Sequence, residues 1–299
     1  MTFNRRFLLK GLSFTVKASL AGALATALAA TVQPALLAQN APPKAVDSTR
    51  FFFTADMGSG LSDQKANGKQ MASIHGQRPV DFVILGGDNI YPDGNLTLVE
   101  THFNRPYAAL LKAGVPFHAV LGNHDIRTGN GDPQVAYKPF GMKGRWYTLR
   151  KGPIEFFMLD TNTNAQWQFQ MPWLKNALAK SSAPWKVVVG HHPIYSAGLY
   201  GDDPSAIAKL TPVFAKYGVQ LYLNGHEHNY ERTKNIGGTT YIISGNGGAY
   251  LRPIIANGRS VKVAGTFGFL ELAATPSRLR VDAWSSSGAK IDEVVLTRP

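Results

Sequence analysis

The 299-residue sequence contains no cysteine. This absence excludes disulfide bonds, thiolate metal ligands, iron–sulfur clusters and a cysteine nucleophile. Charged residues are also few, at 17% of the chain against 44% hydrophobic residues, a balance that is ordinary for a folded protein and argues against intrinsic disorder. The basic residues outnumber the acidic ones by 31 to 19, but they are scattered and not grouped with aromatic residues. We therefore predict no nucleic-acid partner.

The first forty residues contain no acidic residue and four basic ones. A basic start, an Ala- and Leu-rich stretch over 18–30 and a following zone of small residues form the order of a secretory signal. Residues 4–10 resemble the twin-arginine export motif. We predict an export signal over residues 1–40, cleaved between Ala27 and Ala41, with the export machinery as its partner. The mature protein is then expected to be periplasmic or secreted, with no stable membrane partner. An amphipathic helix or an uncleaved anchor is the alternative.

Strand-like and helical patterns alternate through the rest of the chain, and the last strand-like runs follow one another directly. This order predicts a layered α/β domain over residues 43–299 with a largely antiparallel C-terminal half. The predicted strands are 50–54, 81–85, 117–121, 154–159, 185–189, 219–223, 240–243, 268–273, 279–283 and 293–296. The predicted helices are 62–77, 97–112, 171–179 and 206–217.

Polar clusters follow five of the predicted strands. They read Asp56-Met57-Gly58, Gly87-Asp88-Asn89-Ile90-Tyr91, Gly122-Asn123-His124-Asp125, Gly190-His191-His192-Pro193 and Gly225-His226-Glu227-His228. Because ligand sites of α/β folds form at the carboxyl ends of strands, these clusters are expected to converge. Carboxylate, phenol, amide and imidazole donors suit iron, manganese or zinc, and seven candidate ligands suit two metals that share a bridge.

The five blocks, in this order, resemble the binuclear metallophosphoesterases, and the tyrosine three residues after Asp88 resembles the purple acid phosphatases of the small tartrate-resistant type. This resemblance implies a four-layer αββα sandwich of two mixed β-sheets flanked by helices. It also implies a binuclear metal centre of Fe(III) and a divalent ion, which is Zn, Fe or Mn. The implied ligands are Asp56, Tyr91 and His228 for the ferric ion, Asn123, His191 and His226 for the divalent ion, and Asp88 as the bridge.

The resemblance further implies an acid phosphatase that hydrolyses phosphate monoesters by in-line attack of a metal-bound hydroxide. His124 is expected to protonate the leaving group and Asp125 to orient His124. Asn123, His124 and Tyr200 are the expected substrate-binding residues. Tyr200 lies nine residues after His191, where mammalian-type relatives have a second histidine; a phenol, with a pKa near ~10, does not titrate in mild acid.

Two other functions stay open from the sequence. A phosphodiesterase or nucleotide hydrolase could use the same metal core, because loops such as 126–138 would choose the substrate. A periplasmic metal- or phosphate-binding protein without turnover is the non-enzymatic alternative. In each case the expected partners are small phosphorylated molecules. His192 is expected to face away from His191, since neighbouring side chains of an extended strand point to opposite faces.

Overall fold

The structure is a computed structural model and describes residues 48–298, so the predicted export signal lies outside the described residues. The strands are β1 Thr49–Thr54, β2 Phe82–Leu85, β3 Phe117–Ala119, β4 Tyr147–Lys151, β5 Ile154–Met158, β6 Trp185–Val189, β7 Leu221–Asn224, β8 Tyr230–Thr233, β9 Thr240–Ser244, β10 Ser260–Ala264, β11 Gly268–Ala274, β12 Arg278–Ser285 and β13 Lys290–Thr297. The α-helices are α1 Ser62–Gln77, α2 Ala108–Lys112, α3 Asp132–Ala136, α4 Trp167–Lys180 and α5 Pro204–Tyr217. Short 3₁₀ turns cover Leu96–Leu98, Asp125–Arg127, Gly129–Gly131 and Lys138–Phe140, and a π turn covers Glu100–Asn104.

The strands form two mixed sheets. The first has the order β13-β12-β11-β1-β2-β3, in which β1, β2 and β3 are parallel and the three C-terminal strands are antiparallel. The second has the order β10-β8-β9-β7-β6-β5-β4, with β5, β6, β7 and β9 parallel. The parallel strands therefore occupy the middle of one sheet and an edge of the other, and their carboxyl ends carry the loops that matter for function.

Alternating side chains divide the core into three apolar layers. Phe51 and Phe53 of β1 pack between the sheets, while Phe52 packs on the outer face with residues of α1 and the segment before α2. Val187 of β6 likewise faces the inter-sheet layer, whereas Val188 faces α4 and α5. Strands that are apolar on both faces are what this burial requires. The result is the predicted order of helix, sheet, sheet and helix.

The ends of α5 illustrate how local sequence sets the boundaries of an element. The Asp203 carboxylate accepts hydrogen bonds from the backbone N–H groups of Ser205 and Ala206, and Pro204 occupies the first turn. The helix ends at Gly218, whose φ of 66° is in the left-handed region. Capping aspartate, early proline and terminal glycine are the expected signals for a helix of this length.

The structure departs from the predicted elements in two ways. The helix predicted over 97–112 is broken into a 3₁₀ turn, a π turn and α2, because Pro106 cannot donate a backbone hydrogen bond inside a helix. The strands β4, β8 and β10 were not predicted from the sequence, because they carry polar or charged side chains and lie toward the ends of the second sheet. Within the described range, no helix combines the length and apolar content needed to cross a membrane.

Candidate active site

Loops at the carboxyl ends of five parallel strands bring the predicted ligands to one place. The ligand positions are Asp56 after β1, Asp88 and Tyr91 after β2, Asn123 after β3, His191 after β6, and His226 and His228 after β7. Three of the five loops leave the first sheet and two leave the second. The site is therefore built between the sheets, at the edge where parallel strands of both sheets end.

The backbone of these loops is unusual. Asp56, Asp88 and His226 have φ angles of 55°, 53° and 70°, and they are three of the four non-glycine residues with positive φ in residues 48–298. Such conformations cost free energy and persist where the surrounding structure enforces them, often at functional sites. The motif glycines have a steric reason as well. A β-carbon at Gly225 would collide with the Asp56 carboxylate, and one at Gly122 would collide with Asp88.

Two compact groups of donor atoms result. In the first, the Tyr91 hydroxyl lies 3.2 Å from Asp56 Oδ1 and 3.2 Å from His228 Nε2, and the latter two atoms are 3.4 Å apart. In the second, Asn123 Oδ1 lies 3.0 Å from His191 Nε2 and 2.9 Å from His226 Nδ1. Neighbouring ligands of one ion at bond lengths of ~2.1 Å are about 3 Å apart, so each group has the spacing of a metal coordination shell.

The Asp88 carboxylate lies between the two groups. Its Oδ2 is 2.9 Å from the Tyr91 hydroxyl and 3.5 Å from His191 Nε2, while its Oδ1 accepts a hydrogen bond from the backbone N–H of His124. Asp56 is held in the same way, with Oδ2 accepting from the backbone N–H of His226. In each case one oxygen fixes the loop and the other faces the centre. Asp88 Oδ2 lies within 3.5 Å of both groups, whereas Asp56 Oδ1 is 3.9 Å from His191 Nε2 of the second group.

Backbone carbonyl groups orient two of the histidines. His191 Nδ1 lies 3.0 Å from the carbonyl oxygen of Gly86, and His228 Nδ1 lies 2.7 Å from that of Tyr250. A carbonyl oxygen can only accept, so both Nδ1 atoms carry hydrogen and both Nε2 atoms face the centre. This arrangement of a second-sphere acceptor behind the ring is typical of histidine ligands to metals. The donor types, their spacing and this orientation all fit two metal ions.

The carboxylates dominate the electrostatics of the site. Burial lowers the pKa of His191, but the facing Asp88 and Asp56 carboxylates outweigh it and raise the pKa to about 10. Burial raises the pKa of Asp88, yet His191 and His124 hold it below its ordinary value. Burial and then the two carboxylates raise the pKa of the Tyr91 phenol. Without another cation, a proton on His191 would offset part of the buried negative charge and the proton on Tyr91 would keep the phenol neutral, so a metal that binds here has to displace both protons.

His124 lies on the open side of the site, with a side chain that is 23% exposed. Its Nδ1 is 2.6 Å from the carbonyl oxygen of Pro92, and its Nε2 is 3.9 Å from Asp88 Oδ2. The guanidinium of Arg127 lies 3.3 Å from the same Nε2 and also donates to the carbonyl of Pro92. Arg127 was not singled out from the sequence, because only the packing of the 3₁₀ turn turns its side chain toward the histidine.

Asp125 contacts backbone groups of the neighbouring loops and not the ring of His124. Its buried carboxylate accepts hydrogen bonds from the backbone N–H groups of Asn89, Ile90 and Gly122 and from the side chain of Gln134. Direct orientation of the His124 ring, as the sequence suggested, is not what these contacts provide. Asp125 instead ties the loop after β2 to the loop after β3, and thereby fixes the segment that carries Asn123 and His124.

The expectation for His192 was wrong. Its ring packs 4.9 Å from the ring of His191 and 4.5 Å from that of His226, on the same side as both. The reason is that β6 ends at Val189, so the alternation of an extended strand no longer applies. The Thr161 hydroxyl oxygen accepts from the backbone N–H groups of His191 and His192, which bends this loop.

Tyr200 is brought to the site as expected. Its ring stacks on His226 with centroids 4.7 Å apart and an interplanar angle of 20°. Two further residues were missed in the sequence: the Tyr250 ring lies 4.8 Å from His228, and Arg252 lies 5.0 Å from the Tyr200 ring centroid. Both follow a glycine-rich turn with no recognisable motif, so nothing in the sequence connected them to the histidines.

Comparisons with known proteins agree with this geometry. The family described as calcineurin-like phosphoesterase matches residues 49–230. Purple acid phosphatase 7 of Arabidopsis thaliana is 32% identical over 238 residues, covering 68% of this chain and 71% of the relative. Tartrate-resistant acid phosphatase type 5 of Oryctolagus cuniculus is 28% identical over 272 residues, covering 76% and 82%. The purple acid phosphatase PPD1 from yellow lupin has the same fold, with a TM-score of 0.72 at 22% identity over 84% of this chain and 54% of that one.

Proposed function

The chain belongs to the calcineurin-like phosphoesterase family, with purple acid phosphatases among its relatives, and from this membership we propose that it is an acid phosphatase that hydrolyses phosphate monoesters at an Fe(III)–divalent metal pair. The divalent ion would be Zn, Fe or Mn. The observation that carries the proposal is the pair of donor groups with Asp88 between them. Asp56, Tyr91 and His228 would hold the ferric ion, and Asn123, His191 and His226 the divalent one.

A bound metal pair would neutralise the phosphoryl oxygens and activate the attacking water, which is the main demand of phosphate ester hydrolysis. The protein supplies the rest. Asn123 turns its Oδ1 toward His191 and His226, and within residues 48–298 its Nδ2 group has no other acceptor, so it can donate to a substrate oxygen. The Arg127 guanidinium adds a positive charge beside His124, where a phosphate dianion would be attracted.

His124 is the proposed general acid. Its Nδ1 is held by Pro92, and its Nε2 faces the open side of the site near Asp88 and Arg127. The Arg127 guanidinium can only donate, so Nε2 accepts from it in this arrangement. When Nε2 carries a proton instead, Arg127 would have to turn toward the substrate phosphate, and the proton would be directed toward the incoming ester. Transfer of this proton to the leaving alkoxide would complete the reaction.

Assays of the purified, metal-loaded protein test the function directly. We expect turnover of p-nitrophenyl phosphate to exceed turnover of bis(p-nitrophenyl) phosphate, with two metal ions per chain by elemental analysis. Preference for the diester would instead favour a phosphodiesterase on the same residues. Two bound metals with no turnover of either ester would favour a binding protein.

The ferric assignment depends on Tyr91. Tyrosinate bound to Fe(III) absorbs visible light, so the iron-loaded oxidised protein is expected to be violet to pink. Tyr91→Phe keeps the ring but removes the oxygen, and we expect the band to disappear while the secondary structure stays unchanged. A visible spectrum and a circular dichroism spectrum of both proteins decide the matter. An unchanged band in Tyr91→Phe would exclude this residue as the ligand of the ferric ion.

The proposed location outside the cytoplasm is supported by the predicted export signal. Fractionation of the native host, with N-terminal sequencing of the mature chain, would test both the location and the expected cleavage between Ala27 and Ala41.

A further inference from the structure

An open groove lies beside the proposed metal centre, between the segments 196–201 and 250–255. It has a volume of about 490 Å³, which is within the ~300–1,000 Å³ range of small-molecule sites. Four of the seven large hydrophobic side chains that are exposed in residues 48–298 line it. They are Leu199, Tyr200, Tyr250 and Ile255, with 72%, 54%, 67% and 83% of their surfaces exposed. Such a concentration of exposed apolar surface indicates a binding surface.

The groove is continuous with the proposed metal ligands. The Tyr200 ring stacks on the His226 imidazole, and the Tyr250 ring meets the His228 imidazole edge to face at 67°. The Tyr250 carbonyl also accepts the hydrogen bond that orients His228. A molecule whose phosphate lies at the metal centre can therefore place its remaining part against these two tyrosine rings.

Arg252 connects the two walls of the groove. Its guanidinium lies 5.0 Å from the Tyr200 ring centroid and 5.4 Å from that of Tyr250. It donates to the carbonyl oxygen of His226 at 2.8 Å, and its side chain is only 12% exposed. Glu227, between the two histidines, accepts from the backbone N–H of Tyr200 at 2.6 Å. The walls are thus tethered to the histidine segment before any ligand arrives.

Resting on the proposed phosphatase function, we propose that this groove binds the leaving group and that the preferred substrates are phosphate monoesters whose alcohol carries a flat aromatic ring. The walls offer the exposed parts of two aromatic rings and a guanidinium that lies over both rings, and such contacts favour a flat ring over an aliphatic group of the same size. Among residues 48–298, the side chains that line the groove include no acidic one, and Arg252 is the one that carries a charge. A sugar or another strongly polar alcohol finds few partners there.

Substrates with matched leaving alcohols separate ring binding from leaving-group chemistry. The series is 2-phenylethyl, 2-cyclohexylethyl and ethyl phosphate, all of which release primary alkoxides. We expect kcat/KM for 2-phenylethyl phosphate to exceed that for the cyclohexyl ester by roughly 3- to 10-fold, the usual size of an aromatic pair contact. Equal values for these two esters would overturn the aromatic preference. A second pair of substrates, adenosine 5′-phosphate and methyl riboside 5-phosphate, tests whether the bound aromatic ring is a nucleobase. A preference of similar size for adenosine 5′-phosphate would identify nucleotides as the substrates.

Substitutions in the groove test whether the preference for an aromatic ring arises there. Tyr250→Ala is expected to reduce the phenyl-to-cyclohexyl ratio to near one, whereas Tyr250→Phe keeps the ring and should keep the ratio. The matched control is Phe169→Ala, which removes an aromatic ring of similar exposure, 62%, from α4. It should leave the ratio unchanged. A ratio that persists in Tyr250→Ala, or falls equally in Phe169→Ala, would show that the groove does not bind the ring.

Binding measurements keep this inference separate from the proposed function. The non-hydrolysable probes are 2-phenylethylphosphonate and 2-cyclohexylethylphosphonate, titrated into the metal-loaded protein by calorimetry. We expect tighter binding of the phenyl compound, by the same 3- to 10-fold, and loss of the difference in Tyr250→Ala. Ring-dependent binding without turnover of any ester would support the groove and overturn the phosphatase proposal. Turnover of ethyl phosphate without ring-dependent binding would support the phosphatase proposal and overturn the proposal that the groove binds the ring.

Discussion

Two of the regions that contain buried carboxylates have different surroundings. Glu271 of β11 is 2% exposed and contacts Arg50 at 2.5 Å, Arg78 at 2.9 Å and the indole N–H of Trp284 at 3.0 Å. Asp56 and Asp88 are as deeply buried, at 0% and 1%. In residues 48–298, however, their ion-pair neighbours are only histidines, with no arginine or lysine at either carboxylate.

The difference supports a structural role for Glu271 and the proposed metal-binding role for Asp56 and Asp88. A buried carboxylate is stable when permanent cations and hydrogen bonds compensate it, as the two arginines do at Glu271. At Asp56 and Asp88 the compensation comes from imidazole and phenol groups, whose protons can leave. Positive charge can therefore be exchanged at this site, which is what the binding of metal ions needs.

The largest effect is expected from Asp88→Asn. The substitution removes a negative charge shared by both donor groups but keeps the size of the side chain. We expect the loss of at least one metal ion per chain and a fall in turnover of more than about 10³-fold, because a two-metal mechanism loses its bridge. Elemental analysis and p-nitrophenyl phosphate hydrolysis measure the two quantities.

Asp160→Asn is the matched control for Asp88→Asn. Asp160 is also fully buried, but its carboxylate lies 2.9 Å from Arg145 Nε. The same substitution there should lower the free energy of unfolding and leave the metal content at two ions per chain. If Asp88→Asn kept both metals and normal turnover, the bridging role would have to be abandoned.

Much of the site could be predicted because its residues follow buried strands in recognisable blocks. Asp56, Asp88 and His226 lie two or three residues after the ends of β1, β2 and β7, and close contacts with the Asp56 and Asp88 carboxylates explain the glycines at 122 and 225. The donor groups therefore follow from local sequence. Their bonding to one another does not, and the contacts of Asp125 with Gln134 and with the loop after β2 required the structure.

The groove could not be predicted from the sequence, because its residues do not follow buried strands in recognisable blocks. Tyr250 and Arg252 lie in an exposed segment without regular structure, 22 or more residues after the last motif histidine, and only tertiary packing brings them to His226 and His228. Exposed loops lack the periodic burial from which strands are predicted. The predicted direction of the His192 side chain was wrong for a related reason, since strand β6 ends just before this residue. Sequence thus predicts which side chains meet in the buried region better than which side chains meet in the exposed groove.

An intermediate effect is expected from His124→Ala, which tests whether the open side of the site supplies a proton. General acid catalysis is usually worth ~10²–10⁴-fold in rate, so turnover of alkyl phosphates should fall by that amount while the metal content stays constant. The loss should be smaller for p-nitrophenyl phosphate, because its leaving group needs less protonation. Equal losses for both kinds of ester would exclude His124 as the acid.

The smallest effect is expected from Glu271→Gln, which tests the buried carboxylate that arginines compensate. The substitution keeps a hydrogen-bonding side chain of the same size but removes the charge that faces Arg50 and Arg78. Both arginines are partly exposed, at 34% and 42%, so water can solvate them when the carboxylate is gone. We therefore expect the free energy of unfolding to fall by only about 1–2 kcal/mol, between the values for exposed and fully buried pairs. Urea titration measures the loss, and metal content with kcat per bound metal pair should match the unsubstituted protein. A fall in metal content in Glu271→Gln would mean that the two buried carboxylate regions are coupled, and that the charge of β11 contributes to holding the metals as well as the fold.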